Sequence, residues 1–143
     1  MTYPVPLPGL VIRYSLLWSR EARTGATEGR KDRPCAIVVA MRRDEHGDTR
    51  VAVVPITHTA PDNPAASVAL PASVMTALRL DAEPAWARLD EVNVFAWPGY
   101  DLRPIAGTDR VDYGPLPQPL FERRRHGVIA LDRARRVRRV LRD

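Results

Sequence analysis

Apolar positions along the chain fall into short runs separated by polar, proline-rich or glycine-containing breaks, a pattern that predicts strands more often than helices. Leu10 to Trp18 reads as a first strand, apolar and aromatic, entered through an arm carrying Pro4, Pro6 and Pro8 that Gly9 ends. Residues 19–33 are polar, mixed in charge and interrupted by Gly25 and Gly29, and read as a long loop; loops of about 12–15 residues without structure of their own are usually functional. Two β-branched runs follow, 35–41 and 50–57, each too short for a typical helix, and the polar Asp44 to Asp48 segment between them, with Gly47, reads as a hairpin turn. Antiparallel pairing of these strands puts Arg33, just ahead of the first, at the same rim as Thr57, His58 and Thr59 at the end of the second. A guanidinium beside hydroxyls and an imidazole suits a phosphate.

Further along, a Pro/Asn break at 61–64 precedes a short strand over Ser67 to Leu70 and a short helix over 71–80 that starts at Pro71 or Ala72. A strand is expected through 86–97, a turn-rich excursion over 98–105 and a last strand over 108–113. The segment Gly114-Pro-Leu-Pro-Gln-Pro119 leads to a C-terminal helix over 119–143, in which Ala130, Ala134, Val137 and Leu141 recur at spacings of four, three and four to form one apolar stripe. Several short strands around a core capped by one helix predict a single, mainly β (α+β) domain spanning 1–143, a small barrel with a short central helix and a C-terminal helix.

Composition changes this picture in three ways. At 143 residues and 45% hydrophobic content the chain is long enough to bury a core without staples. Cys35 is the single cysteine and lies in an apolar run, which excludes an intramolecular disulfide framework and fits a reducing cytoplasm; a buried thiol and a nucleophile are its two readings. No run reaches the roughly 20 apolar residues of a membrane span. The net charge is +5, yet residues 119–143 contain nine arginines against Glu122, Asp132 and Asp143, a balance of +6, so residues 1–118 carry −1 (5 − 6). Basicity is a property of the C-terminal stretch. Two roles follow for it, added phosphate affinity or a solvated face that docks an acidic partner.

The ordered set of elements resembles the PemK/MazF family of toxins from toxin-antitoxin pairs, including its Kid-like branch. The residues that carry the resemblance are the apolar strand Leu10 to Trp18, Glu28-Gly29 in the polar loop, Arg33-Pro34 before the strand from Cys35 to Ala40, and Val51 to Thr57 ending Pro-Ile-Thr. Ala87-Arg88-Leu89-Asp90-Glu91-Val92 is similar to the family's strand after the central helix, with Arg88-x-Asp90 at the place of its catalytic Arg-x-Asp. The resemblance implies an SH3-like barrel and a metal-independent endoribonuclease that cuts single-stranded messenger RNA through the substrate's 2′-hydroxyl, leaving a cyclic phosphate and a free 5′-hydroxyl. It also implies a homodimer, no cofactor, and an acidic antitoxin as partner.

On that resemblance Arg88, Asp90, Arg33 and Thr57 are the expected catalytic residues, and His58, Thr59, Thr27, Glu28 and Arg30 the expected RNA contacts. Such a reaction needs a base for the 2′-hydroxyl and positive charge around the phosphorane. Asp90 is the carboxylate for the first task; Arg88 and Arg33, as guanidiniums that stay protonated, suit the second. On one strand Arg88 and Asp90 share a face. The family's loop histidine is replaced here by Thr27, whereas His58 adjoins Thr57 and reads either as a substitute acid or base or as an exposed loop residue. His46, His58, His126 and Cys35 show no zinc-type spacing. A barrel that binds RNA or protein without cutting is the alternative, as is a gyrase inhibitor like CcdB; the latter class depends on a Trp-Gly ending, and this sequence ends Val140-Leu-Arg-Asp143.

Overall fold

A computed structural model describes residues 3–25, 32–41, 47–120 and 138–142. Among the described residues the chain is mainly β: β1 (Leu10–Tyr14), β2 (Arg33–Met41), β3 (Thr49–Thr57), β4 (Ser67–Ala69), β5 (Trp86–Arg88), β6 (Glu91–Trp97), β7 (Asp112–Pro115) and β8 (Arg138–Leu141), with the short helices α1 (Ser19–Arg23) and α2 (Ala72–Ala77) and helical residues at 118–120. All strand pairs are antiparallel except β6 with β8. Strand order runs β4-β5-β3-β2-β1-β7, and among the described residues the sheet does not close into a ring.

The hairpin β2–β3 has the register that the sequence implies. Cys35 faces Pro55 and Ala36 faces Val54, so Arg33, two residues before Cys35, and Thr57, two residues after Pro55, reach the same rim. Burial explains why these strands read as unbroken apolar runs. Alternate residues enter different cores: Ala36, Val38, Val54 and Ile56 pack under β4, α2 and β5, while Cys35, Ile37, Val51 and Val53 pack with Tyr14, Leu16, Phe95 and Leu102. Over Cys35 to Val38 and Val53 to Ile56 both faces of the central strands are buried, which removes the polar alternation of a one-sided sheet. In the second core Tyr14 and Phe95 stack with centroids 4.7 Å apart.

β3 is forked on the edge opposite β2. Residues 49–53 pair with β6 and residues 56–57 pair with β5, leaving Val54 and Pro55 unpaired on that side. Pro55 has no N–H to offer there. At this gap the Leu89–Asp90 turn breaks the single strand expected over 86–97 into β5 and β6, and Leu89 is drawn into the core with its N–H on Ala66 O at 2.8 Å. Arg88 and Asp90 are therefore not on one strand face: Arg88 ends β5 and Asp90 stands in the turn.

Other expectations need correction too. The first strand stops at Tyr14, and Ser15 to Trp18 continues as an extended segment fixed by side chains of β6. The long loop opens with α1, whose first turn forms because Glu21 Oε1 accepts the Trp18 N–H at 3.1 Å. The last strand before the Pro-rich segment is Asp112–Pro115, several residues later than expected, because it follows the β1 register, Leu10 facing Pro115. The C-terminal helix expected over 119–143 does not reach Leu141: residues 138–141 are β8, parallel to β6, with Val140 opposite Asn93. The alternation of exposed Arg139 and Leu141 with buried Val140 is that of a strand. Ala130, Ala134 and Val137 lie outside the described residues. No described helix is long and apolar enough to cross a membrane.

Candidate functional site

Four sequence segments converge at one end of the sheet. Trp18 ends the extended segment after β1, Arg33 begins β2, Thr57 ends β3 and Arg88 ends β5. All four line a pocket of about 980 Å³, with His58 and Thr59 from the following loop, Arg20 and Glu21 from α1, Arg79, Leu80 and Asp81 after α2, and Tyr113 from β7.

Trp18 organises the arginines. The guanidinium carbon of Arg33 lies 5.0 Å from the indole centroid, that of Arg88 5.3 Å and that of Arg20 5.6 Å. All three are within cation–π range. The ring itself is almost fully buried and cannot drift, since the residues on both sides of it are clamped by β6. Asn93 accepts the Leu17 N–H at 3.0 Å and donates to Leu17 O at 2.8 Å; Glu91 accepts from Ser19 N at 3.2 Å and Ser19 Oγ at 2.7 Å.

The two central arginines differ in their partners. Arg88 donates through Nε and Nη2 to both oxygens of Asp90, at 3.2 and 3.0 Å, a bidentate pair largely shielded from solvent. Arg33 forms no ion pair among the described residues, and its Nε is buried without a hydrogen-bond partner. Burial pulls the Arg33 guanidinium below its ordinary value; Arg20 pushes the same way, while Cys35 and Glu21 oppose it. A desolvated guanidinium next to a second cation is an acceptor-hungry group, and an anion entering the pocket would satisfy it.

Thr57 is buried, and its Oγ1 accepts the Thr59 N–H at 3.2 Å, fixing the turn that leaves β3. His58 stands at the pocket wall with both ring nitrogens engaged. Nδ1 is 2.8 Å from Pro84 O, which can only accept, and Nε2 is 2.9 Å from Asp81 Oδ2. Two acceptors demand two donors, so the arrangement fits the imidazolium, and the Pro84 carbonyl and Asp81 raise the pKa of His58. Here it ties two loops together rather than pointing a free nitrogen at the pocket. Cys35 is fully buried, and burial pushes its thiol up, which keeps it protonated.

Arg33, Thr57, His58, Thr59 and Arg88 are thus brought together, and Asp90 joins them through Arg88 without itself lining the pocket. Thr27, Glu28 and Arg30 lie outside the described residues, as do His46 and His126. Among the described residues no three of His, Cys, Asp and Glu are grouped so as to hold a metal ion. The segment after Pro98 follows the β1 edge and contributes only Tyr113 to the pocket wall.

Sequence reasoning did not single out Trp18, Arg20 or Arg79 as site residues. Trp18 carried a signal, an aromatic followed three residues later by Glu21, but the N-cap side chain is not the Ser, Thr, Asp or Asn that marks a helix start. Arg79 is visible only in the backbone. It closes α2 at φ 58°, donating to Thr76 O at 3.0 Å while Leu80 donates to Met75 O at 2.9 Å, the bonding of a helix end that ordinarily has glycine at this place. Compared with known proteins, the chain matches no family model, no curated protein and no solved structure.

Proposed function

We propose that the chain is a metal-independent endoribonuclease of the PemK/MazF kind, an SH3-like barrel that acts as a homodimeric growth inhibitor, cuts single-stranded messenger RNA and is silenced by an acidic antitoxin. The observation that carries this reading is the gathering of Arg33 and Arg88 at the Trp18 indole beside a pocket, with Asp90 chelated by Arg88 and Thr57 at the rim.

In this reading the scissile phosphate takes up the open valences of Arg33, with Arg88 on its other side. Asp90, held by Arg88, removes the proton of the 2′-hydroxyl. The 2′-oxygen attacks phosphorus, the bond to the 5′-oxygen breaks, and the leaving oxygen takes a proton from water. The products are a cyclic phosphate and a 5′-hydroxyl. Guanidiniums fixed in advance stabilise the phosphorane without reorganising at the moment of reaction.

A second reading, a barrel that binds RNA or a protein without cutting it, is favoured by one observation: Asp90 does not line the pocket. One experiment separates them. Purified protein at micromolar concentration is incubated with mixed-sequence single-stranded RNA in EDTA, and the product ends are analysed. Cleavage to cyclic phosphate ends, abolished by Asp90→Asn and by Arg88→Ala in folded protein, is the expected result; RNA that stays intact but bound means the non-catalytic reading is right.

A further inference from the structure

Most of the polar side chains at this end of the molecule have an ordinary explanation. Asp32 is shared between Arg13 and Arg103, each at 3.7 Å, and His58 is clamped between Pro84 and Asp81. Trp18 has none. A large indole stands among cations, and three guanidiniums that repel one another gather around it.

Among the described residues, Arg88 has a bidentate carboxylate partner, whereas Arg33 has neither an ion pair nor a partner for its buried Nε. Desolvated like charges move apart unless something holds them. The negative face of the indole supplies that attraction without neutralising the charge, as a carboxylate would. A carboxylate in its place would compete with an incoming anion. At Arg33 the aromatic contact leaves the edge Nε–H unused, whereas Arg88 commits Nε and Nη2 to Asp90.

The placing of the ring is equally definite. Asn93 and Glu91 fix the backbone on either side of it, and both belong to the strand that leaves the turn carrying Asp90. Trp18 is thereby set in register with the Arg88–Asp90 pair although 70 residues separate Trp18 from Arg88 in the chain.

We infer that Trp18 is a positioning residue: its indole ring holds Arg33 and Arg88 in place as a preformed receptor for a phosphodiester, without itself contacting the ligand. This deepens the proposed function and rests on that reading only for the identity of the ligand. Ring position and guanidinium order are properties of the free protein.

The test compares wild type with Trp18→Phe and Trp18→Leu in the full chain. Two readouts are used: the guanidinium Nε–H resonances of Arg33 and Arg88, and affinity for a single-stranded deoxyoligonucleotide, which has the phosphodiesters but no 2′-hydroxyl to react. In wild type both resonances are shifted by the indole ring current; in Trp18→Leu the shift disappears and affinity falls about tenfold. Trp18→Phe, which keeps an aromatic face, recovers most of the affinity. A merely structural role would not give this rescue pattern together with the ring-current signature.

If Trp18→Leu does not fold, the wild-type shifts and the Trp18→Phe affinity decide the matter. Unshifted resonances in wild type, unchanged affinity in Trp18→Leu, or a wild type that does not bind the deoxyoligonucleotide overturns the inference. RNA cleaved equally well by wild type and Trp18→Leu sinks it while leaving the nuclease reading standing. Tight, Trp18-dependent binding with no cleavage of RNA does the reverse.

Discussion

Two arginines, Arg142 and Arg33, occupy similar positions at the two ends of the Ser15 to Trp18 segment and differ in every other respect. Arg142 is buried, donates from Nη1 to Ser15 O at 2.7 Å and to Asn93 Oδ1 at 3.3 Å, pairs through Nη2 with Asp101 at 2.8 Å, and lies 5.6 Å from the centroid of Tyr14. Arg33 has one aromatic face and a buried Nε with nothing to bond. A satisfied buried cation holds elements together; an unsatisfied one is ready for a ligand. The comparison teaches that burial alone does not mark a functional arginine. The count of its unmet donors does.

Removing Arg142 should have the largest effect. Arg142→Met leaves Asp101 without its guanidinium and Ser15 O without its donor, and should lower unfolding free energy by about 3–5 kcal/mol in urea titration. A loss below about 1 kcal/mol would break the comparison, since it would mean that the network is not structural.

Arg33→Met should show the opposite division. Stability stays within about 1 kcal/mol of wild type or rises, because a desolvated charge is removed, while RNA cleavage falls about 10²–10³-fold. A strongly destabilised Arg33→Met protein would show that Arg33 is also a structural group.

Arg79→Gly sharpens the contrast at smaller scale. Relief of the left-handed backbone should stabilise the fold by about 1 kcal/mol. Loss of a pocket cation should at the same time reduce the salt dependence of oligonucleotide binding by about one unit of slope. Gain of stability with unchanged salt dependence would place Arg79 outside the ligand's reach.

The smallest effect is that of pH. His58 has a raised pKa in the fold, so its contribution is complete below the ordinary value of 6.5 and is lost as pH rises through the raised one. The pair with Asp81 is exposed, which limits the effect to about 0.5 kcal/mol. Thermal midpoints measured across that window should fall slightly in wild type and stay flat in His58→Gln.

Much of the fold was legible in the chain because local pattern and tertiary environment agree there. The β2–β3 hairpin, the short strand at Ser67, and α2 beginning after Pro71 follow from composition and turn chemistry, and the hairpin register brings Arg33 to Thr57. Where long-range pairing decides, local pattern gave the wrong element. Val137 and Leu141 fit a helical stripe, but Val140 is the residue that is buried, against Asn93 across a parallel pairing. The break at Leu89–Asp90 was hidden because Leu89 is apolar and suits a strand; it turns inward only because β3 forks beneath it. Arg88 and Asp90 were found by motif and do touch, for a reason other than shared strand face. Trp18 could not be read as a hub, since the arginines around it come from three separate segments.

The double burial of β2 and β3 sets a gradient of motion through the molecule. Their middle residues are buried from both faces, and each strand has neighbours on both edges along most of its length. Amide hydrogens of Ile37 and Val53 should therefore exchange with solvent only when the whole domain opens, and more slowly than those of β4 or β7 at the sheet margins. Arg33 and Thr57 stand at the ends of these same two strands, only a few residues from the slowest-exchanging part of the chain. The pocket rim formed by these two residues thereby inherits the rigidity of the centre.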